Sequence, residues 1–348
     1  MEPVTHVLTG ALISRTGLNR RAAYCTAAMA IGAELPDIDT LWSIEGPLAS
    51  FQHHRGITHT FVGIPFEAAT VTLAFYLYHR LRKQPKTAAP ARWAELFAYT
   101  LLALLSHLFL DWTNNYGLRP FFPFDPHWYA GSFVFIFEPI LFLFLLIGLL
   151  APSLFGLIGS EVGARKPPFS GRAWPTAALL AICALWLFRF NQHAEALTLA
   201  ARNAPEATRV YASPHPIDPF TWHIVADTPD HYQLSTLDTH TQHFDPTEPS
   251  DTLYKPAITL PLLAAKRTGL GRIYLDWSQY PILIEAADTT DPNHPLAVVT
   301  FTDARFLYNT FLVQGRTHAP INGQVTLNMQ APDGQRVIET RMGNKIQR

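Results

Sequence analysis

The sequence predicts an α-helical integral membrane domain over residues 1–195, a bundle opened by a short helical hairpin, followed by a β-rich soluble domain over residues 205–348. Three observations predict it. Charged residues make up only 15% of the chain and hydrophobic ones 48%, whereas a soluble domain carries about 25% charged residues. The long apolar runs lie almost entirely before Asn191. After Pro205 the texture changes to short alternating segments broken by prolines, the pattern of half-buried strands with loops and edges between them. A formal net charge of −1 supplies no basic field and argues against a nucleic-acid partner. Cys25 and Cys183 lie in apolar segments and read as buried thiols, not as a disulfide framework. The first residues lack a charged stretch followed by a cleavable apolar run, so insertion is expected to use mature helices.

Residues 4–14 and 22–35 are apolar segments joined by the basic turn Arg15-Thr16-Gly17-Leu18-Asn19-Arg20-Arg21. Each falls short of the ~20 residues that cross a bilayer, so they read as a hairpin packed against the apolar layer. Pro36 disfavours helix at Leu35, which leaves Glu34 at a helix end and Asp37 and Asp39 on the loop beyond it. Spans are expected at Ile57 to His79, Ala94 to Trp112 and Phe133 to Ile158, with a shorter one at Ala173 to Phe190. Farther on, Thr221 to Ala226 and Gln324 to Met329 alternate as strands do. Pro332-Asp333-Gly334 before Arg336-Val337-Ile338 reads as a hairpin turn.

The loops set an orientation. Arg15, Arg20, Arg21, Arg80, Arg82, Lys83, Lys86, Arg92, Arg165, Lys166 and Arg172 fall on one side of this topology; before the C-terminal region, the other side holds Arg55 and Arg119. The positive-inside rule places the first set in the cytoplasm of an inner-membrane protein, with the C-terminal domain on the outer side. The residues suited to metal chemistry then gather on the outer face. Glu34, Asp37 and Asp39 precede His53, His54 and His59, and mixed carboxylate and imidazole ligands are typical of hydrolytic zinc or manganese sites. His107 and Asp111 stand at i and i+4, on one face of an otherwise apolar helix, where ionisable groups mark function. His54 and His59 are about 140° apart on a continuous helix, so His54 is expected on the loop and His59 in the first helical turn, with Thr58 as N-cap. Arg55 suits either an anionic substrate group or an ion pair with Asp37 or Asp39. Glu67 is expected mid-span, with a partner on a neighbouring helix.

The order His6, Glu34-Leu35-Pro36-Asp37-Ile38-Asp39, His54-Arg55-Gly56-Ile57-Thr58-His59, Ser106-His107-Leu108-Phe109-Leu110-Asp111, then Asn115-Tyr116-Gly117, Phe122-Pro123-Phe124 and Phe135-Ile136-Phe137-Glu138-Pro139 resembles the YdjM-like family of membrane-bound, metal-dependent hydrolases. That family more often has Asp where Glu138 stands. Ser213 to Trp222 is similar to an extension found in one branch. The resemblance implies His6, Asp37, His54, His59, His107 and Asp111 as ligands of one or two divalent ions, zinc or manganese. It implies Asp39, Glu34 and Glu138 as further ligands or bases, with Glu34 or Asp39 taking a proton from an activated water. Membrane lipids are the expected surroundings, and a phosphoester or lipid is the expected substrate. A non-catalytic metal-binding or transport protein is the alternative. His215, His223, His231, His240 and His243 are too scattered for a second centre.

Overall fold

The computed structural model describes residues 1–82, 90–161, 171–245, 251–288, 296–312, 314–315, 319–332 and 336–347. Lys83, Lys86, Arg165 and Lys166, which carry part of the charge asymmetry, and the expected turn at Asp333-Gly334 lie outside them. The chain forms two compact units, Met1–Asp39 with Arg55–Asn191, and Thr40–His54 with Gln192–Arg348.

The first unit is helical. Helix α1 (Pro3–Arg15) begins with a proline, which lacks an N–H that the first turn leaves unpaired in any case, and Glu2 caps it by accepting from the Thr5 N–H at 2.9 Å. It packs on α2 (Cys25–Glu34) with almost no gap: a Cβ at Gly10 would stand 2.3 Å from the Met29 carbonyl oxygen and 2.8 Å from the Ala33 Cβ. Small residues at that crossing let the two backbones meet. Leu35 keeps helical angles (φ −59°, ψ −35°) despite Pro36, and the chain tightens into a 3-10 helix over Leu35–Glu45. Asp37 and Asp39 therefore ride on a helical turn and not on an open loop.

Helix α3 (Pro47–His53) belongs to the second unit. In the first unit follow α4 (Ile64–Leu81), α5 (Trp93–Thr113), α6 (Pro139–Glu161) and α7 (Ala173–Asn203), whose last turns, from Gln192, pass into the second unit. One core joins Cys25, Ala28, Met29 and Ala33 of α2 to Val71 of α4 and to Leu96 and Ala103 of α5. A second joins Ile64 and Ala68 to Leu104, Leu108 and Leu118. Helix α5 is thus flanked by α2 and α4. Among the described residues α5 and α7 are each long and apolar enough to cross a membrane, and α4 counts as a third only together with the bent segment before it.

Several expectations need correction. The span expected from Ile57 begins at Ile64, because Ile57–His59 is a separate 3-10 turn after which Thr60 is extended. Thr58 is accordingly no helix N-cap, and its hydroxyl lies 3.1 Å from His59 Nδ1. Glu67 sits in the first turn of α4, not mid-span. The span expected from Phe133 becomes helical only at Pro139. Cys183 is exposed, while Cys25 is buried.

The second unit holds two antiparallel sheets. The first runs β1 (Arg209–Pro214), β2 (Thr221–Asp227), β3 (His231–Asp238), β4 (His243–Asp245), with β5 (Thr252–Tyr254) also paired to β3. After helices α8 (Leu260–Arg267) and α9 (Gly269–Trp277) comes the second, formed in chain order by β6 (Pro281–Asp288), β7 (Leu296–Asp303), β8 (Gly323–Leu327), β9 (Val337–Met342) and β10 (Lys345–Gln347). Strand β8 shows the alternation read from its sequence: Gly323, Val325 and Leu327 are buried, Gln324 and Thr326 less so. Tyr211, Val225, Tyr232, Leu234, Tyr280, Ile282 and Ala304 form a core shared by both sheets.

The α1–α2 contact is directly testable. Gly10→Leu has to force the helices apart and is expected to destabilise the detergent-solubilised protein by about 1–3 kcal/mol, read as a lower midpoint of thermal unfolding.

Candidate metal centre

Two short segments meet at the C-terminal half of α5. That helix presents His107 and Asp111 one turn apart, the Ile57–His59 turn presents His59, and the 3-10 helix after α2 presents Asp37. One donor atom from each of these four side chains lies within 4.8 Å of all the others. His59, His107 and Asp111 are buried and Asp37 is largely so.

The imidazoles are held by their outer nitrogens. His107 Nδ1 lies 2.7 Å from the Ala33 carbonyl oxygen. A carbonyl only accepts, so this nitrogen carries the hydrogen and Nε2 is left with a lone pair. His59 Nδ1 lies 3.3 Å from Asp39 Oδ2, which assigns its tautomer the same way. The two Nε2 atoms face each other at 3.1 Å. Two nitrogens ~2.1 Å from one tetrahedral ion stand about 3.4 Å apart, so this spacing suits a shared cation in place of a proton. Asp111 Oδ2 lies 3.5 Å from both Nε2 atoms and makes no hydrogen bond, and Asp37 Oδ1 lies 3.3 Å from His59 Nε2 and 3.8 Å from that of His107. The donor set, two neutral imidazoles and two carboxylates, fits a divalent ion.

Burial alone would raise the Asp37 carboxyl, but the hydrogen bond from His59 and the His107 charge outweigh it and hold the group well below the usual carboxylate range. Asp37 is thus ready to bind a cation at any physiological pH. Burial pushes Glu34 the other way, to about 7, and the Asp37 charge adds to the rise. Its Oε2 is buried without a hydrogen bond.

Arg55 is spent on the centre itself. Its Nη2 donates to Asp111 Oδ1 at 2.7 Å, its Nη1 to the Gly117 carbonyl oxygen at 2.7 Å, and its guanidinium carbon lies 4.8 Å from the centroid of the Tyr116 ring. The Arg55 backbone is left-handed (φ +53°), uncommon for a residue with a side chain, and its N–H donates to Asp39 Oδ2 at 2.7 Å. The pairing that the structure gives the Arg55 guanidinium is with Asp111, which it braces. Asp39, expected as a base, holds the Arg55 backbone and the His59 ring.

His6 is buried and stacks on His107 with ring centroids 3.8 Å apart. Its Nε2 lies 3.4 Å from Asp111 Oδ1 and 2.9 Å from the Met1 amino nitrogen, beside the four-residue focus. His54 belongs to the second unit and is not among the converging groups. Glu138 is a correction to the expected ligand set: it is buried in an ion pair with Arg189 at 2.7 Å, because a lone guanidinium in the apolar run Leu187-Phe188-Arg189-Phe190 requires a counter-charge. That isolated arginine was the one signal in the sequence for the pair. The Ala33 carbonyl that turns His107 and the Gly117 carbonyl that holds Arg55 are main-chain groups and leave no trace in residue identity. Glycine at 117 follows from its positive φ of +85°.

A helical unit with, among the described residues, two helices able to cross a membrane, and a buried acid and imidazole cluster capable of holding a metal, define a membrane protein with a candidate metal centre. The chain belongs to the YdjM inner membrane protein family, whose sequence model matches residues 1–196. It is also similar to the Uncharacterized protein YfhP of Bacillus subtilis (strain 168), 30% identical over 112 residues that cover 32% of this chain and 32% of that protein. The match thus spans about a third of that relative's length. No solved structure matches the chain.

The centre separates ligands from braces. Asp111→Asn, which keeps a group for Arg55 to bond, is expected to abolish stoichiometric metal, whereas Asp39→Ala should retain it with affinity reduced about 10- to 100-fold. Elemental analysis and competition with a chromogenic chelator read both, and equal retention in the two variants would remove Asp111 from the ligand set.

Proposed function

We propose that the chain is a membrane-bound, metal-dependent hydrolase that cleaves phosphoester or lipid substrates at the outer face of the cytoplasmic membrane. The observation that carries this reading is the 3.1 Å approach of two imidazole Nε2 atoms beside Asp37 and Asp111. A divalent cation, zinc or manganese by the donor chemistry, supplies Lewis acidity and brings the pKa of a water toward 7. Asp37, His59, His107 and Asp111 hold it, Asp39 and the Ala33 carbonyl fix the imidazole tautomers, and Arg55 fixes Asp111. Glu34 is the proton acceptor. Its carboxyl stands at about 7 without the cation and is drawn lower by the charge of one bound nearby, which leaves it basic at neutral pH with a proton affinity near that of the working solution.

The membrane setting supports a lipidic substrate, since α5 is both a candidate span and the carrier of two ligands. The distribution of Arg and Lys along the sequence supports an outward-facing centre. The β-rich unit from about residue 205 then stands outside the cytoplasm.

Chelation should abolish hydrolysis of long-chain phosphate esters, and zinc or manganese should restore it; a metal-replete protein that turns over no ester would favour the binding-protein alternative. Glu34→Gln is expected to keep the metal and lose at least about 100-fold in kcat. The wild-type rate should fall with acidity through a limb at or below pH 7, because protonation removes the base, and Glu34→Gln should lack that limb.

Orientation is tested separately. With Cys25 and Cys183 replaced, Lys166→Cys should resist an impermeant thiol reagent in intact cells while a cysteine at exposed Tyr254 reacts. The opposite pattern overturns the outward-facing centre.

A further inference from the structure

Helix α5 carries a second stripe. Leu105, Leu108, Phe109 and Trp112 follow the i, i+3, i+4, i+7 spacing of one face, about 130° around the helix from His107 and Asp111 but at the same height along it. They form one wall of a cavity of about 470 Å³, and Phe61, Phe121 and Tyr129 form part of the other. The size falls within the roughly 300–1,000 Å³ of small-molecule sites. The lining is almost wholly apolar, and the Tyr129 hydroxyl is turned away to Asp125 at 2.6 Å. Leu105, Phe109, Phe61 and Phe121 remain 39%, 42%, 47% and 47% exposed.

The groove and the metal centre are built from the same segments. Phe61 follows His59 by two residues, Leu108 follows His107, and the Phe61 N–H donates to the Pro120 carbonyl oxygen at 2.9 Å, tying the two non-helical walls together. The groove residues Phe61 and Leu108 thus lie on the same segments as His59 and His107, the second of these a helix able to cross a membrane.

We propose that this groove seats the alkyl chain of the substrate, so that the enzyme's substrate class is a long-chain amphiphilic phosphate monoester and not a water-soluble one. The proposal rests on the hydrolase reading above, and its test has one arm that does not. Full-length protein in phosphatidylcholine nanodiscs, stripped of metal by a chelator, is irradiated with hexadecyl phosphate bearing a diazirine near the chain end. Label is expected on Leu105–Trp112 and on Phe121–Tyr129, falling about tenfold in Leu105→Trp, which fills the groove. Phe121→Ala, which opens its rim, should reduce labelling on the same peptides and serves if the first variant does not fold. Label spread evenly over the lipid-facing surfaces of α5 and α7, unchanged in either variant, would show bulk hydrocarbon only and overturn the proposal.

The second arm uses metal-replete protein. Leu105→Trp should raise KM for hexadecyl phosphate about tenfold relative to butyl phosphate, whose turnover stays as in the wild type. Equal effects on both esters overturn the chain-seating role. If wild type cleaves neither ester, the hydrolase reading fails while the labelling arm still decides what occupies the groove.

Discussion

Two imidazole nitrogens that face each other at 3.1 Å are the constraint on which the rest of the helical unit depends. Such an approach needs a proton or a cation between the rings, so each ring must be held from behind. His107 is held by a main-chain carbonyl of α2, and this requires α2 to lie against α5 at a fixed height. That height is shared with the core formed by Met29, Ala33, Leu96 and Ala103, while the close approach at Gly10 sets α1 against α2. Small residues at the helix contacts and the tautomer of a ligand are thus one structural problem.

Asp111 is the other hinge of the arrangement. One of its oxygens is braced by Arg55 and the other faces both imidazoles. Removing one partner of a buried ion pair typically costs about 3–5 kcal/mol, because the survivor is left charged and unpaired. Arg55 is in turn fixed by the Gly117 carbonyl oxygen, by the Tyr116 ring and, through its left-handed backbone, by Asp39. The motif residues between 34 and 59 are coupled to those between 107 and 117 by this guanidinium. A positive charge inside the cluster orients a ligand here.

Partners explain why acids of similar sequence standing differ, since burial raises Asp37 and Glu34 alike. Asp37 meets hydrogen-bond donors and is held anionic; Glu34 meets none on its Oε2 and is pushed toward neutrality. Glu138 meets Arg189 and is neutralised as a pair, at the end of an apolar helix rather than at the centre. The Thr40–His54 stretch, contiguous in sequence with Asp37 and Asp39, packs with the β-rich unit, so neighbours in the chain become parts of different units.

By itself the sequence determined the class of fold, because the two halves differ in hydrophobic texture and the backbone must satisfy its hydrogen bonds accordingly: long apolar runs as helices, short alternating ones as paired strands. It also determined that His107 and Asp111 share a helix face, since that follows from 3.6 residues per turn. Residue types and spacing were enough to gather Asp37 and His59 with them as candidates. Where helices begin was less legible: Ile57–His59 and Phe133–Glu138 continue into the apolar runs they precede, and the helices start only at Ile64, before Pro65, and at Pro139. Roles were decided by the tertiary structure alone. Arg55 became a brace, Asp39 a positioning group and Glu138 half of an ion pair, because each depends on which charge or main-chain carbonyl lies within about 3 Å, and that distance is set by packing between segments that are remote in the chain.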